Sequence, residues 1–188
     1  DKLIAVRDPY GIRPLCLGTV DDDVVVASES CALDAVGANF LRDVKPGEIV
    51  VIDSNGIQSH MMENIPKKSA LCIFEYVYFA RHDSIIDGCS VYHARQEAGR
   101  LLAKYYGVEA DIVAGVPDSA NVAARAYAEE SGIPFVEALA KNRYVGRTFI
   151  QPDQRQRENS LSVKMNALRA NIRGKRLIII DDSIVRGT

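Results

Sequence analysis

The run Leu177-Ile178-Ile179-Ile180 constrains this chain most. Four consecutive branched apolar residues predict a strand covered on both faces, the usual state of a strand inside a parallel sheet. Two adjacent carboxylates follow, Asp181 and Asp182, and then Ser183-Ile184-Val185-Arg186-Gly187-Thr188. Open α/β sheets bind ligands at the carboxyl ends of their strands, so a site is expected there. Two acids at that position can accept hydrogen bonds from a sugar diol, or meet a Mg²⁺ ion that a pyrophosphate has brought. The Ser183–Thr188 loop can turn amides and hydroxyls towards a phosphate. The competing reading is an Asp-rich helix N-cap. The hydroxyls and glycine after four branched residues favour the phosphate loop.

The rest of the second half alternates strands and helices. Asp111–Val116 is a short apolar strand ending at Pro117, and Ser119–Ser131 reads as a helix stopped by Gly132-Ile133-Pro134. Phe135–Leu139 fits a further strand. Val91, Ala94, Ala98, Leu101, Leu102 and Tyr105 fall on one helical face. This alternation predicts a doubly wound parallel sheet. Residues 1–59 have another texture. Short strands at Leu3–Val6, Leu15–Gly18, Val24–Val26 and Glu48–Ile52 are separated by Asp8-Pro9-Tyr10-Gly11, Asp21-Asp22-Asp23 and Asn55-Gly56. These are turn and hairpin signals, and they predict antiparallel pairing. Residues 60–70, with Pro66 and Lys67-Lys68, read as a linker. Two regions result, 1–70 and 71–188, in a chain that is α/β in its second half and α+β overall.

The formal charge of −2 conceals an asymmetry. Residues 1–140 hold 12 basic against 21 acidic side chains, whereas residues 141–176 hold 10 basic against 2 acidic ones. With Gly146, Pro152 and few apolar residues, the part from Lys141 to about Lys164 reads as a lid for a polyanion. An RNA-binding loop with Tyr144 and Phe149 as stacking rings is the rival; the strand-end acids would repel a nucleic acid backbone. No run of eighteen apolar residues suggests a membrane helix, and Asp1–Val6 lacks a signal-peptide layout. A cytoplasmic location and no nucleic acid or membrane partner are therefore expected. Cys16, Cys31, Cys72 and Cys89 form no C-x-x-C pair and do not cluster with His60, His82 or His93. Neither a disulfide scaffold nor a self-contained zinc site is expected.

Five stretches carry a family resemblance: Arg7–Leu15, Ala27–Ser30, Glu75–Arg81, Lys141–Ile150 and Asp181–Thr188. In this order they resemble the amidophosphoribosyltransferase family, the glutamine-dependent enzymes that open purine synthesis. The resemblance implies the end of an N-terminal-nucleophile glutaminase domain (an antiparallel β sandwich with helices) over 1–70. It implies part of a type I phosphoribosyltransferase domain over 71–188. The parent reaction would convert 5-phosphoribosyl-1-pyrophosphate (PRPP), glutamine and water into 5-phosphoribosylamine, pyrophosphate and glutamate. Asp181 and Asp182 match the acids that hold ribose and Mg²⁺. Ser183, Ile184, Val185, Arg186, Gly187 and Thr188 match the 5′-phosphate loop. Gly115–Ser119 matches the pyrophosphate loop, with Ser119 at a metal-contacting position. Lys141, Arg147 and Lys164 fall in the flexible loop that closes over PRPP. Tyr76, Tyr78, Phe79 and Arg81 match the segment between the domains and are candidates for the wall of an ammonia passage. Cys72 matches one of four ligands to a [4Fe–4S] cluster found in some members, the others being expected downstream of Thr188. Purine nucleotides as feedback inhibitors and a homotetramer are further implications.

The resemblance also predicts what the chain lacks. The family's glutaminase nucleophile is an N-terminal cysteine, whereas position 1 is Asp1. Cys16 and Cys31 lie in segments matching the end of that domain. The chain is read as an internal fragment without a catalytic nucleophile, and inactive by itself. His82 stands where the family usually has proline. The alternative class is a non-catalytic PRPP-binding regulator on the same fold, against which Arg7–Leu15 and Ala27–Ser30 argue.

Overall fold

The computed structural model describes residues 1–142 and 165–184. It is mixed α/β, and its contacts divide into two compact units, Asp1–Ala94 and Arg95–Thr188.

The first unit is built on two three-stranded antiparallel sheets. In the first, β1 (Leu3–Val6) pairs with β5 (Glu48–Asp53), which pairs with β6 (Gly56–Met61). The second places β2 (Cys16–Val20) between β3 (Asp23–Ala27) and β4 (Asn39–Asp43). Strand alternation sends successive side chains to opposite faces. Leu17 therefore joins Ala5, Val44 and Val50 in one core, whereas Cys16 joins Leu33 and Ala38 in another, under the short helix α1 (Ser30–Ala35). Gly18 lies on the α1 side, where a Cβ would come within 2.9 Å of Leu33 Cδ1.

The β5–β6 loop differs in detail from the Asn-Gly expectation. Asp53 pairs with Gly56, so Ser54 and Asn55 form the turn, and Gly56 supplies the positive φ of 101°. The Asp53 carboxylate accepts the Asn55 N–H at 2.8 Å, fixing the turn from its first corner. Beyond β6 the chain is irregular until a π-helical segment, Glu75–Phe79, and a minimal hairpin of β7 (Ile85–Ile86) and β8 (Cys89–Ser90).

Helix α2 (Val91–Tyr105) continues into the second unit. There β12 (Leu177–Ile180) pairs in parallel with β9 (Ile112–Gly115), and Phe135 adds a parallel bridge to Val113. Helix α3 (Asn121–Ser131) packs on this sheet, with Val113, Ala120, Ala124, Tyr127 and Ile180 at the centre. It ends at Gly132 in the left-handed region (φ 71°), as its sequence predicts. A hairpin of β10 (Leu139–Lys141) and β11 (Met165–Ala167) precedes the single turn α4 (Arg169–Ile172).

Two expectations change. Of the α2 stripe, Val91 is buried and Ala94 half-buried, but Ala98, Leu101, Leu102 and Tyr105 are exposed, and Arg95, Gly99 and Ala103 are buried instead. The cause is the close approach of α3: a Cβ on Gly99 would lie 2.1 Å from the Ala123 carbonyl oxygen, so small residues define the contact. Strand β12 is also not covered on both faces among the described residues. Ile178 and Ile180 face the core while Ile179 is 55% exposed.

Candidate functional site

Because β9 and β12 are parallel and in register, both open their carboxyl ends on the same side. The Val116 N–H donates to the Ile180 carbonyl (2.9 Å), one step past β9. The two chains then part. Gly115 makes this possible, since a Cβ there would lie 2.7 Å from Asn121 Oδ1 and 2.9 Å from Asn121 Cα. Glycine alone lets the first turn of α3 come down onto the strand end. The intervening loop folds back, and the Ser119 hydroxyl donates to Oδ2 of Asp182. On the other oxygen, Oδ1, Asp182 accepts the Ser183 hydroxyl at 2.8 Å. Its own N–H donates to Asp181 Oδ1 at 2.9 Å. Lys141, at the end of β10, pairs with Asp118 of the same loop.

Sequence-predicted residues far apart in the chain are thus joined at one strand end: Ser119 with Asp182 and Ser183, and Lys141 with the loop carrying Ser119. Asp181 is exposed beside them, and Ile184 is 94% exposed. Val185, Arg186, Gly187, Thr188, Arg147 and Lys164 lie outside the described residues. Sequence reading missed the role of Asp118; its signal was an acid directly before Ser119, opposite a basic stretch.

The donor set bears on a metal. Ser119, Asp181 and Asp182 offer a hydroxyl and carboxylate oxygens, the hard ligands Mg²⁺ takes while keeping waters and substrate oxygens. Among the described residues no group of three or more His, Cys, Asp or Glu side chains could hold a metal ion. These residues therefore fit a Mg²⁺ ion that arrives with phosphate oxygens, and not a closed metal cage. An iron–sulfur cluster needs four thiolates or near equivalents, of which Cys72 would supply one. Cys72 is half-buried, its N–H bonded to the Ile12 carbonyl (3.0 Å) and its carbonyl to the Glu75 N–H (2.9 Å).

In the first unit the motif residues tie segments together. Arg7, 2% exposed, grips both oxygens of Asp87 at 2.7 and 2.8 Å and donates to the Val44 carbonyl at 2.7 Å. The hydrogen bond to Asp87 raises its pKa against the opposing effect of burial, so the guanidinium stays charged. Glu29 accepts the Arg81 N–H and the Ser84 hydroxyl, each at 2.8 Å, while Ser30 accepts the Ile85 N–H at 2.8 Å. Arg13 pairs with the buried Glu75 and lies 4.3 Å over the Phe79 ring. Tyr76 donates to the Ile86 carbonyl at 3.0 Å, and burial pushes its phenol up to about 12. Tyr78 and Phe79 are half-exposed, their rings tilted by 52° with centroids 5.7 Å apart, and Arg81 pairs with Asp83. Cys16 is 2% exposed and burial pushes its thiol up to about 11, which suits a packing residue and not a nucleophile.

The described fold is mixed α/β with antiparallel sheets, and it matches solved structures of glutamine PRPP amidotransferase. The Bacillus subtilis structure of that enzyme, complexed with ADP and GMP, superposes with a TM-score of 0.88 at 51% identity, covering 99% of this chain and 41% of that one. A second solved structure, of the allosteric regulatory enzyme of purine biosynthesis, gives 0.89 at 51% identity over 100% of this chain and 40% of its own. Curated relatives named amidophosphoribosyltransferase match this chain over its whole length. The Archaeoglobus fulgidus protein is 54% identical over 188 residues, and that of Mycobacterium tuberculosis 57% over 187. The resemblance to the amidophosphoribosyltransferase family holds from end to end of the chain, which spans 41% and 35% of the length of these two relatives. No family model matches the chain. No helix among the described residues is long and apolar enough to cross a membrane.

Proposed function

We propose that this chain is part of a cytoplasmic, glutamine-dependent amidophosphoribosyltransferase that makes 5-phosphoribosylamine from PRPP. Residues 1–70 belong to its glutaminase domain, and 71–188 belong to its phosphoribosyltransferase domain. The observation that carries this reading is the meeting of Ser119 with Asp182 at the parallel strand ends, in a chain matched throughout to relatives named for that activity.

In this reading Asp181 and Asp182 hold the ribose hydroxyls and a hydrated Mg²⁺, and the loop from Ser183 to Thr188 takes the 5′-phosphate. Gly115–Ser119 receives the pyrophosphate, and Lys141 turns from Asp118 to a phosphate oxygen. Arg147 and Lys164 add positive charge over the substrate. Bound Mg²⁺ supplies charge neutralisation on the departing pyrophosphate. The chain's part is to fix the ribose carbon in line with the incoming ammonia and to keep water away. No protein base is required, because the nucleophile arrives neutral and the leaving group departs charged. Purine nucleotides, which share the sugar-phosphate, are the expected inhibitors, and the assembled enzyme is a homotetramer. No step is assigned to a cluster at Cys72.

The test uses the complete polypeptide with PRPP, Mg²⁺ and ammonia, which bypasses glutamine. Pyrophosphate release should depend on ammonia, and Asp182→Asn should lower kcat/KM by about a hundredfold or more. Unchanged turnover in that variant would refute the assignment.

A further inference from the structure

We infer that Ser119 is a positioning residue acting through Asp182, and that the two form one unit joining the pyrophosphate loop to the ribose-binding acids. This rests on the PRPP reading of the site.

The geometry is specific. Each Asp182 oxygen accepts a hydroxyl, Oδ2 from Ser119 and Oδ1 from Ser183. A carboxylate held on both oxygens cannot swing about its side-chain torsion without losing a charge-assisted bond. The Ser183 bond is local, between neighbours, and fixes Asp182 only relative to its own loop. The Ser119 bond spans 63 residues of sequence and fixes Asp182 relative to the β9–α3 loop. Gly115 and the first turn of α3 hold that loop tightly.

A consequence for Ser119 follows from hydrogen-bond direction. With its proton committed to Asp182, its oxygen presents only lone pairs outward. The negative partner also makes that oxygen a better acceptor. Water on a cation, or a sugar hydroxyl, is the kind of donor it suits. Loss of the hydroxyl would thus release Asp182, and the acceptor strength of that oxygen itself depends on Asp182.

A double-mutant cycle in the complete protein separates this from an independent metal contact. The readout is calorimetric binding of PRPP with saturating Mg²⁺, with kcat/KM for ammonia giving a second cycle should a variant bind weakly. Ser119→Ala should weaken binding by about tenfold, the worth of one hydrogen bond to a charged group. Ser119→Thr, which keeps the hydroxyl, should recover most of the loss. In an Asp182→Ala background, losing the Ser119 hydroxyl should cost less than about twofold more. Equal losses in both backgrounds, or no loss in Ser119→Ala, would overturn the inference while leaving the PRPP assignment standing. Absence of PRPP binding by the wild type would overturn both.

Discussion

Glu48 shows how a buried charge is made tolerable. It is 2% exposed, yet its carboxylate receives both Arg42 guanidinium nitrogens (2.8 and 2.9 Å), the Lys45 N–H (2.7 Å) and the Ser59 hydroxyl. Burial alone would raise its pKa; these donors outweigh burial and hold it at about 2. A carboxylate whose folded pKa lies below its unfolded one stabilises the fold fully above the unfolded value, near 4.5, and the gain is lost as pH falls towards 2. The amount is on the order of 3 kcal/mol. Urea unfolding between pH 5 and 2.5 should therefore show a steep loss in the wild type. Glu48→Gln should be less stable at pH 7 by about 3 kcal/mol, since Arg42 loses its partner, and flatter over the acid range. Parallel acid slopes in the two proteins would contradict the assignment.

Helix α2 and the strand pair β9–β12 show where element-level reasoning succeeds and where it fails. The Gly99 contact predicts that Gly99→Ala destabilises the protein by about 2 kcal/mol or more, despite alanine's better helix propensity, because backbone must move. A rise in melting temperature would show that α2 and α3 are less tightly joined than described. The strand Leu177–Ile180 was legible to the residue, because four branched apolar side chains between Arg176 and Asp181 have few alternatives. The stop at Gly132 was equally legible, as a left-handed cap after a helical stretch. The buried face of α2 was not. Its contact is made by Gly99 and Ala103, and hydrophobic periodicity overlooks small residues in favour of Leu101 and Tyr105. Helix α1 and the π-helical segment were missed for another reason. Ser30–Ala35 is too short to show a period, and Glu75–Phe79 is held by tertiary bonds from Arg13 and Tyr76. At the site, chemistry marked Asp181 and Asp182 from sequence and the family resemblance marked Ser119, whereas the bonding among them depended on parallel register and on Gly115.

At the scale of the whole molecule, a basic stretch and an acidic strand end belong to one chain of nearly neutral formal charge. That separation suits a ligand carrying several phosphates on a sugar diol, taken up together with a divalent cation. Calorimetric titration of the complete protein with PRPP, with and without Mg²⁺, tests this most directly. The account predicts binding that requires Mg²⁺ and disappears in the Asp181→Asn, Asp182→Asn double variant while the melting temperature holds. Metal-independent binding, or binding retained in the folded double variant, would contradict it.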